Sequence, residues 1–150
     1  MQKKNAILNN AEVDFFELDI LQAENLNNLS VRAQSKTLLN KTLEQSNYKK
    51  FDIIVSNPPY VRELEKVEIK NNVLKNEPHL ALFVDNKNPL IFYNKIAHLA
   101  KKHLTKNGIL FFEINQYLGK ETVAMLRQEG FKNIELKKDL FGNDRMIKCQ

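Results

Sequence analysis

Residues 51–56, Phe-Asp-Ile-Ile-Val-Ser, run straight into Asn57-Pro58-Pro59-Tyr60. No other stretch limits the fold so tightly. The run is short, apolar and rich in β-branched residues, which suits a parallel strand buried on both faces. Two consecutive prolines then remove two backbone donors and fix two φ angles, so the strand stops there. A parallel partner must be reached by a crossover of a dozen or more residues, usually a helix.

The sequence offers such crossovers. Residues 1–10 read as the end of a helix stopped at Asn9-Asn10, and residues 13–20 (VDFFELDI) as a strand ending on Asp19-Ile20. Residues 22–50 are polar and read as a surface insertion, with a weak helix over 29–46. After the strand at 51–56, residues 60–88 are irregular with a helical turn. Residues 89–105 place Ile91, Phe92, Ile96, Leu99, Ala100 and Leu104 near helical spacing, with Pro89 at a first turn and Asn107-Gly108 as the stop. Residues 109–114 form a second buried strand. Residues 118–129 form a helix closed by Gly130. Residues 131–138 and 144–149 form a hairpin turning at Phe141-Gly142-Asn143. Strands alternating with helices predict an α/β sheet, and the final pair, with no helix between, must be antiparallel.

Composition narrows the class. The chain has 150 residues, 43% hydrophobic and 27% charged, which is one globular domain's worth. The net charge of +5 permits a nucleic-acid partner and demands none. Cys149 is the single cysteine, so neither an internal disulfide nor a cysteine zinc site can form. No apolar run approaches a membrane span and no secretory segment follows Met1, so the expected location is the cytoplasm. The four glycines, at 108, 119, 130 and 142, permit neither a Gly-x-Gly-x-x-Gly turn nor a P-loop.

The loop at 57–60 carries the candidate chemistry. In open α/β sheets, ligands bind outside the carboxyl ends of strands. The side-chain carbonyl of Asn57 and the main-chain carbonyl of Pro58 can accept both N–H bonds of a planar amino group. Tyr60 can stack on that group's plane. Holding both protons turns the nitrogen toward an incoming methyl and weakens its conjugation, so positioning does most of the work.

Other residues have plainer readings. Glu113 is expected at a strand end or paired with Arg145, because a buried carboxylate needs a partner. His79, His98 and His103 lack ligand spacing and read as structural. Lys101-Lys102 and Lys137-Lys138 read as solvated surface, and Cys149 as a plain strand residue. No metal site is expected.

At these motifs the chain resembles a known family. Asn57-Pro58-Pro59-Tyr60 after an apolar strand is similar to the signature of class I S-adenosylmethionine-dependent amino-methyltransferases, which have a Rossmann-like sheet. Glu77-Pro78-x-x-Ala81-Leu82, Phe112-Glu113-Ile114-Asn115, Gln116-x-x-Gly119 and Asp139-x-x-Gly142-x-Asp144-Arg145 narrow the resemblance to HemK/PrmC-type protein-glutamine methyltransferases. The match is weak over 1–21 and strong over 48–150. The resemblance implies S-adenosylmethionine as methyl donor. It implies as substrate the glutamine of the Gly-Gly-Gln loop of class-1 peptide-chain release factors, and N5-methylglutamine as product. Carried over, Asn57, Pro58, Pro59 and Tyr60 hold the glutamine amide, with Asn57 also against the cofactor. Asp19 or Ile20 lies by the adenine.

Two family features have no counterpart here: a helical recognition domain, and the first strand–helix–strand unit with its Gly-rich turn and ribose-binding acid. Residues 1–150 are therefore expected to form a partial catalytic domain with an incomplete sheet. Either residues 13–20 close onto 51–56 to give five strands, or an unpaired edge is left as a site of self-association. Three functions follow: release factor glutamine methylation by a truncated domain, a non-catalytic remnant that binds a partner, and, less favoured, amino-methylation of DNA or RNA.

Overall fold

The computed structural model describes residues 2–27, 48–68 and 78–150. Helix α1 spans Gln2–Leu8. Its stop at Asn9-Asn10 is as expected, with Asn10 at φ +50° and the Ala11 N–H donating back to the Ala6 carbonyl at 2.9 Å. Strand β1 spans Phe51–Ser56 and leads through the proline loop into β2, Val61–Arg62. A 3-10 helix, Glu63–Glu68, follows. Helix α2 (His79–Leu82) and strand β3 (Phe83–Val84) precede helix α3 (Ile91–His103). Strand β4 (Leu104–Glu113), helix α4 (Gly119–Gln128) and strands β5 (Glu135–Lys138) and β6 (Asp144–Cys149) complete the chain.

The main sheet has four strands in the order β1-β4-β6-β5. β1 runs parallel to β4, and β6 runs antiparallel to β4 and to β5; the last of these pairings is the one that the absence of a helix between β5 and β6 required. Helix α3 buries Tyr93, Ile96, Ala97 and Ala100, the i, i+3, i+4, i+7 face of its apolar pattern. That face covers Leu110, Phe112, Ile147 and Cys149 of the sheet, joined by Met125 and Leu126 from α4. Tyr93 meets Phe112 edge to face at 5.2 Å. Burial pushes the Cys149 thiol up to about 12, so it is an inert core residue. Gly130 sits at φ +82°, the left-handed helix end predicted for it. β2 and β3 pair as a separate two-stranded sheet that sequence periodicity did not signal.

Three expectations fail here, each for a physical reason. Residues 13–20 form no strand. Val13, Phe15, Phe16 and Leu18 are exposed and their backbone joins no ladder. Strand propensity is realised only by pairing, and nothing beside this segment pairs with it. The five-stranded sheet is therefore not formed, and β1 is an edge strand among the described residues. Nor is β1 buried on both faces. Ile54 packs into the core, but Ile53 and Val55 are 59% and 73% exposed because the helices cover one face only. Lastly, Asn107-Gly108 does not end α3. The helix stops at His103, and 107–108 lie inside β4, where the pairing shifts between Phe51↔Leu104 and Ile53↔Ile109. A Cβ on Gly108 would come within 3.0 Å of the Phe51 carbonyl oxygen, so this glycine serves a close approach at a bulge.

The weak helix at 29–46 lies outside the described residues, as does Glu77. The described flanks of the polar 22–50 segment are anchored rather than loose. Ala23 and Leu26 are buried against Leu99 of α3. His103 holds both flanks: its Nε2 accepts the Leu26 N–H at 2.9 Å, and its Nδ1 lies 2.8 Å from the Lys49 carbonyl. Its structural reading is thus correct. Burial is the main cause of its lowered pKa, which keeps the ring neutral.

Candidate active site

The Asn57–Tyr60 loop sits at the carboxyl end of β1, beside the end of β4, where an α/β sheet places its ligands. Asn57 is exposed, Pro58 is buried and Pro59 is half-buried. Among the described residues the Asn57 side chain has no hydrogen-bond partner, so both its amide ends are open to a ligand. The prolines leave few free torsions between Asn57 and Tyr60.

Tyr60 is fixed at two points. Its hydroxyl donates to Glu113 Oε1 at 2.8 Å, and its carbonyl accepts from Asn115 Nδ2 at 2.9 Å. Burial, then the Glu113 carboxylate, pushes the Tyr60 hydroxyl up to about 12, so it remains a donor throughout the neutral range. Glu113 ends β4, the strand-end position expected of it, and Arg145 pairs with Asp139 at 3.3 Å instead. Asp139 also caps the hairpin turn through the N–H groups of Phe141 and Asn143.

Asn115, 4% exposed, also donates to Glu65 Oε2 at 2.7 Å, and its Oδ1 accepts the Tyr117 N–H at 2.9 Å. Glu65 is 5% exposed, and its charge is met by a two-pronged pair with the Arg62 guanidinium. Among the described residues no buried side-chain polar atom is left unpartnered. Tyr60, Glu65, Asn115, Gln116, Tyr117 and Arg145 line a polar cleft of about 180 Å³. Sequence reasoning missed Arg62 and Glu65. They pair with each other three residues apart in a segment read as irregular, and the bond that ties them to the site, from Asn115 to Glu65, spans 50 residues.

On the other side of the loop the surroundings are apolar. Ile20, Leu26, Ile54, Pro58, Pro59 and Phe92 are among the residues lining a cleft of about 260 Å³. The structure therefore brings Ile20 to the loop. Asp19 is exposed, and its Oδ1 accepts the Leu21 N–H at 3.0 Å. Among the described residues no group of His, Cys, Asp and Glu is arranged to hold a metal ion. No helix there is long and apolar enough to cross a membrane.

Known proteins share this arrangement of sequence. A family model described as Eco57I restriction-modification methylase matches residues 2–140. The release factor glutamine methyltransferase of Flavobacterium psychrophilum is 54% identical over 146 residues, which are 97% of this chain and 44% of that protein. Its namesake in Bacteroides thetaiotaomicron is 48% identical over 97 residues, 65% of this chain and 35% of that protein. A crystal structure of the release factor-specific protein-(glutamine-N5) methyltransferase of Alicyclobacillus acidocaldarius is 25% identical. It covers 67% of this chain and 48% of its own, at a TM-score of 0.42. The chain spans less than half the length of each of these relatives. Among the described residues its mixed sheet carries helices on one face. The two curated relatives named above are release factor glutamine methyltransferases, and the chain belongs to the methylase family of that model.

Proposed function

We propose that this chain carries the substrate-holding half of an S-adenosylmethionine-dependent methyltransferase acting on the N5 amide of a glutamine. The glutamine is that of the Gly-Gly-Gln loop in peptide-chain release factors. The observation that carries this reading is the exposed Asn57 on a proline-stiffened loop at the carboxyl end of β1. The 54% identical relative, named for that activity, supports it.

The chemistry follows from the loop. The Asn57 side-chain carbonyl and the Pro58 main-chain carbonyl accept the two N–H bonds of the substrate amide. That arrangement fixes the nitrogen's orientation and opposes its conjugation with the amide carbonyl. Tyr60 acts as a positioning residue: its hydroxyl is committed to Glu113, which fixes the orientation of the ring.

S-adenosylmethionine, when bound, supplies an electrophilic methyl group on sulfur. The residues present fit its base end only. The apolar cleft of Ile20, Pro58, Pro59 and Phe92 suits a flat ring. Among the described residues lining that cleft there is neither a carboxylate for ribose hydroxyls nor a glycine. No reaction step is therefore assigned to a cofactor held by these residues alone.

The description of the family model favours a second reading, an amino group of DNA as acceptor. One experiment separates them. This chain replaces the matched segment of the Flavobacterium psychrophilum relative, and the chimera is given methyl-labelled S-adenosylmethionine with a class-1 release factor or with DNA. Label on the release factor glutamine is expected. Label on DNA alone supports the second reading, and label on neither supports a non-catalytic remnant.

A further inference from the structure

We infer that Glu113, Asn115 and Glu65 form a latch that sets the shape of the Asn57–Tyr60 loop, with Glu113 as a positioning residue for the amide acceptors. The inference rests on the proposed function for its catalytic consequence and on geometry alone for the latch.

The latch begins on β4. Backbone contacts hold its last residues from both sides: the Tyr93 hydroxyl donates to the Glu113 carbonyl at 3.2 Å, and the Ile114 N–H donates to the Arg145 carbonyl at 2.9 Å. From this fixed stretch, Glu113 takes the hydroxyl of Tyr60 and Asn115 takes its carbonyl. One residue is thereby held at its main chain and at its side-chain tip. Asn115 spends its second amide proton on Glu65. Glu65 in turn accepts the main-chain N–H of Arg62 at 2.9 Å. The chain leaving the loop is therefore pinned at 60 and 65 by Glu113 and Asn115 at one strand end, and at 62 through Glu65.

The pinning reaches Asn57 because the two prolines between transmit it. With φ fixed at Pro58 and Pro59 and the pre-proline residues restricted to extended shapes, few torsions remain to absorb a shift of Tyr60. Acceptors for an amide must be held to within about 0.5 Å to be productive. A latch in which buried Asn115 and Glu65 and half-buried Tyr60 and Glu113 are joined by hydrogen bonds provides that rigidity.

Amide hydrogen exchange on this 150-residue chain tests the latch without any assay of activity. Asn115→Ala should speed exchange at Arg62 roughly tenfold, the worth of one hydrogen bond, and leave β6 unchanged. Unchanged exchange at Arg62 in a folded variant overturns the inference. The chimera tests the consequence. Tyr60→Phe and Glu113→Ala should each lower kcat at least tenfold while the KM for S-adenosylmethionine stays within twofold. The double variant should be no worse than either single one, because both remove the same bond. Glu113→Gln, which keeps an acceptor, should recover most of the rate. Additive losses, or no recovery by Glu113→Gln, overturn the positioning role. Altered exchange with no methyl transfer by any chimera leaves the latch standing and removes the proposed function.

Discussion

Strand β1 has two unlike sides. Toward β4, its backbone is paired at Phe51 and, after a shift of register, from Ile53 to Ser56; Ile54 enters the core, and the loop that follows is tied by Glu113 and Asn115. Away from β4, no described residue pairs with its edge, Ile53 and Val55 are exposed on its uncovered face, and Ile20, Pro58, Pro59 and Phe92 are among the residues that line an apolar cleft. Two sides of one strand, built from six residues, thus differ in everything except sequence. The lesson is that a strand end can be tightly held on one side and open on the other. The proposed amide acceptors depend on the β4 side. The proposed place for the cofactor's base depends on the other.

The largest effect should come from the complete side. Phe112→Ala removes the ring that meets Tyr93 under α3 and should cost about 3–5 kcal/mol. Chemical denaturation checks this, and a loss under about 1 kcal/mol would mean that the β4 core does not carry the fold. Next in size, Asn57→Ala in the chimera should reduce kcat by about 100-fold or more, with cofactor affinity within a few-fold. Normal turnover would end the role given to Asn57.

A smaller effect concerns His103, which holds the flanks of the 22–50 segment behind β1. Its folded pKa lies below the ordinary 6.5, so the unfolded chain binds more protons between the two values. Stability should be complete above about pH 6.5 and fall as the pH drops through the lowered value. Denaturant midpoints at pH 7.5 and pH 5.5 should show that fall. His103→Gln should flatten it, and a midpoint unchanged with pH would refute the neutral, hydrogen-bonded ring.

The smallest change in stability should come from the open side. Ile53→Lys with Val55→Lys should alter folding stability by no more than about 0.5 kcal/mol per site. We expect the wild-type edge to self-associate with rising concentration and the double variant to stay monomeric. Sedimentation of both proteins decides this. Equal behaviour would mean that the edge is already covered.

How much of this was legible depends on how far each feature reaches. Helix α3 was readable because Ile91, Phe92, Ile96, Leu99 and Ala100 recur near helical spacing, although its buried face also takes in Tyr93 and Ala97, and α4 was readable from its stop at Gly130. β1 and its loop were readable from an apolar run and two prolines, and the hairpin from Gly142, which sits at φ +84°. Val13–Ile20 misled because strand propensity is a promise that only a neighbour can keep. Asn107-Gly108 misled because a bulge and a helix stop use the same residues. The motif residues Asn57, Tyr60, Glu113 and Asn115 were visible singly. Their connection was not: Tyr60 and Glu113 lie 53 residues apart, and Glu65 and Asn115 lie 50 apart, distances at which spacing carries no signal.

The asymmetry of β1 is tested most directly by calorimetric titration of S-adenosylmethionine into this chain, beside the chimera. The account predicts saturable binding by the chimera and, for the chain alone, no saturation below roughly 1 mM, an affinity weaker than about 4 kcal/mol. Micromolar binding by the monomeric chain would contradict it, because the cofactor would then be held by residues that the β4 side already supplies.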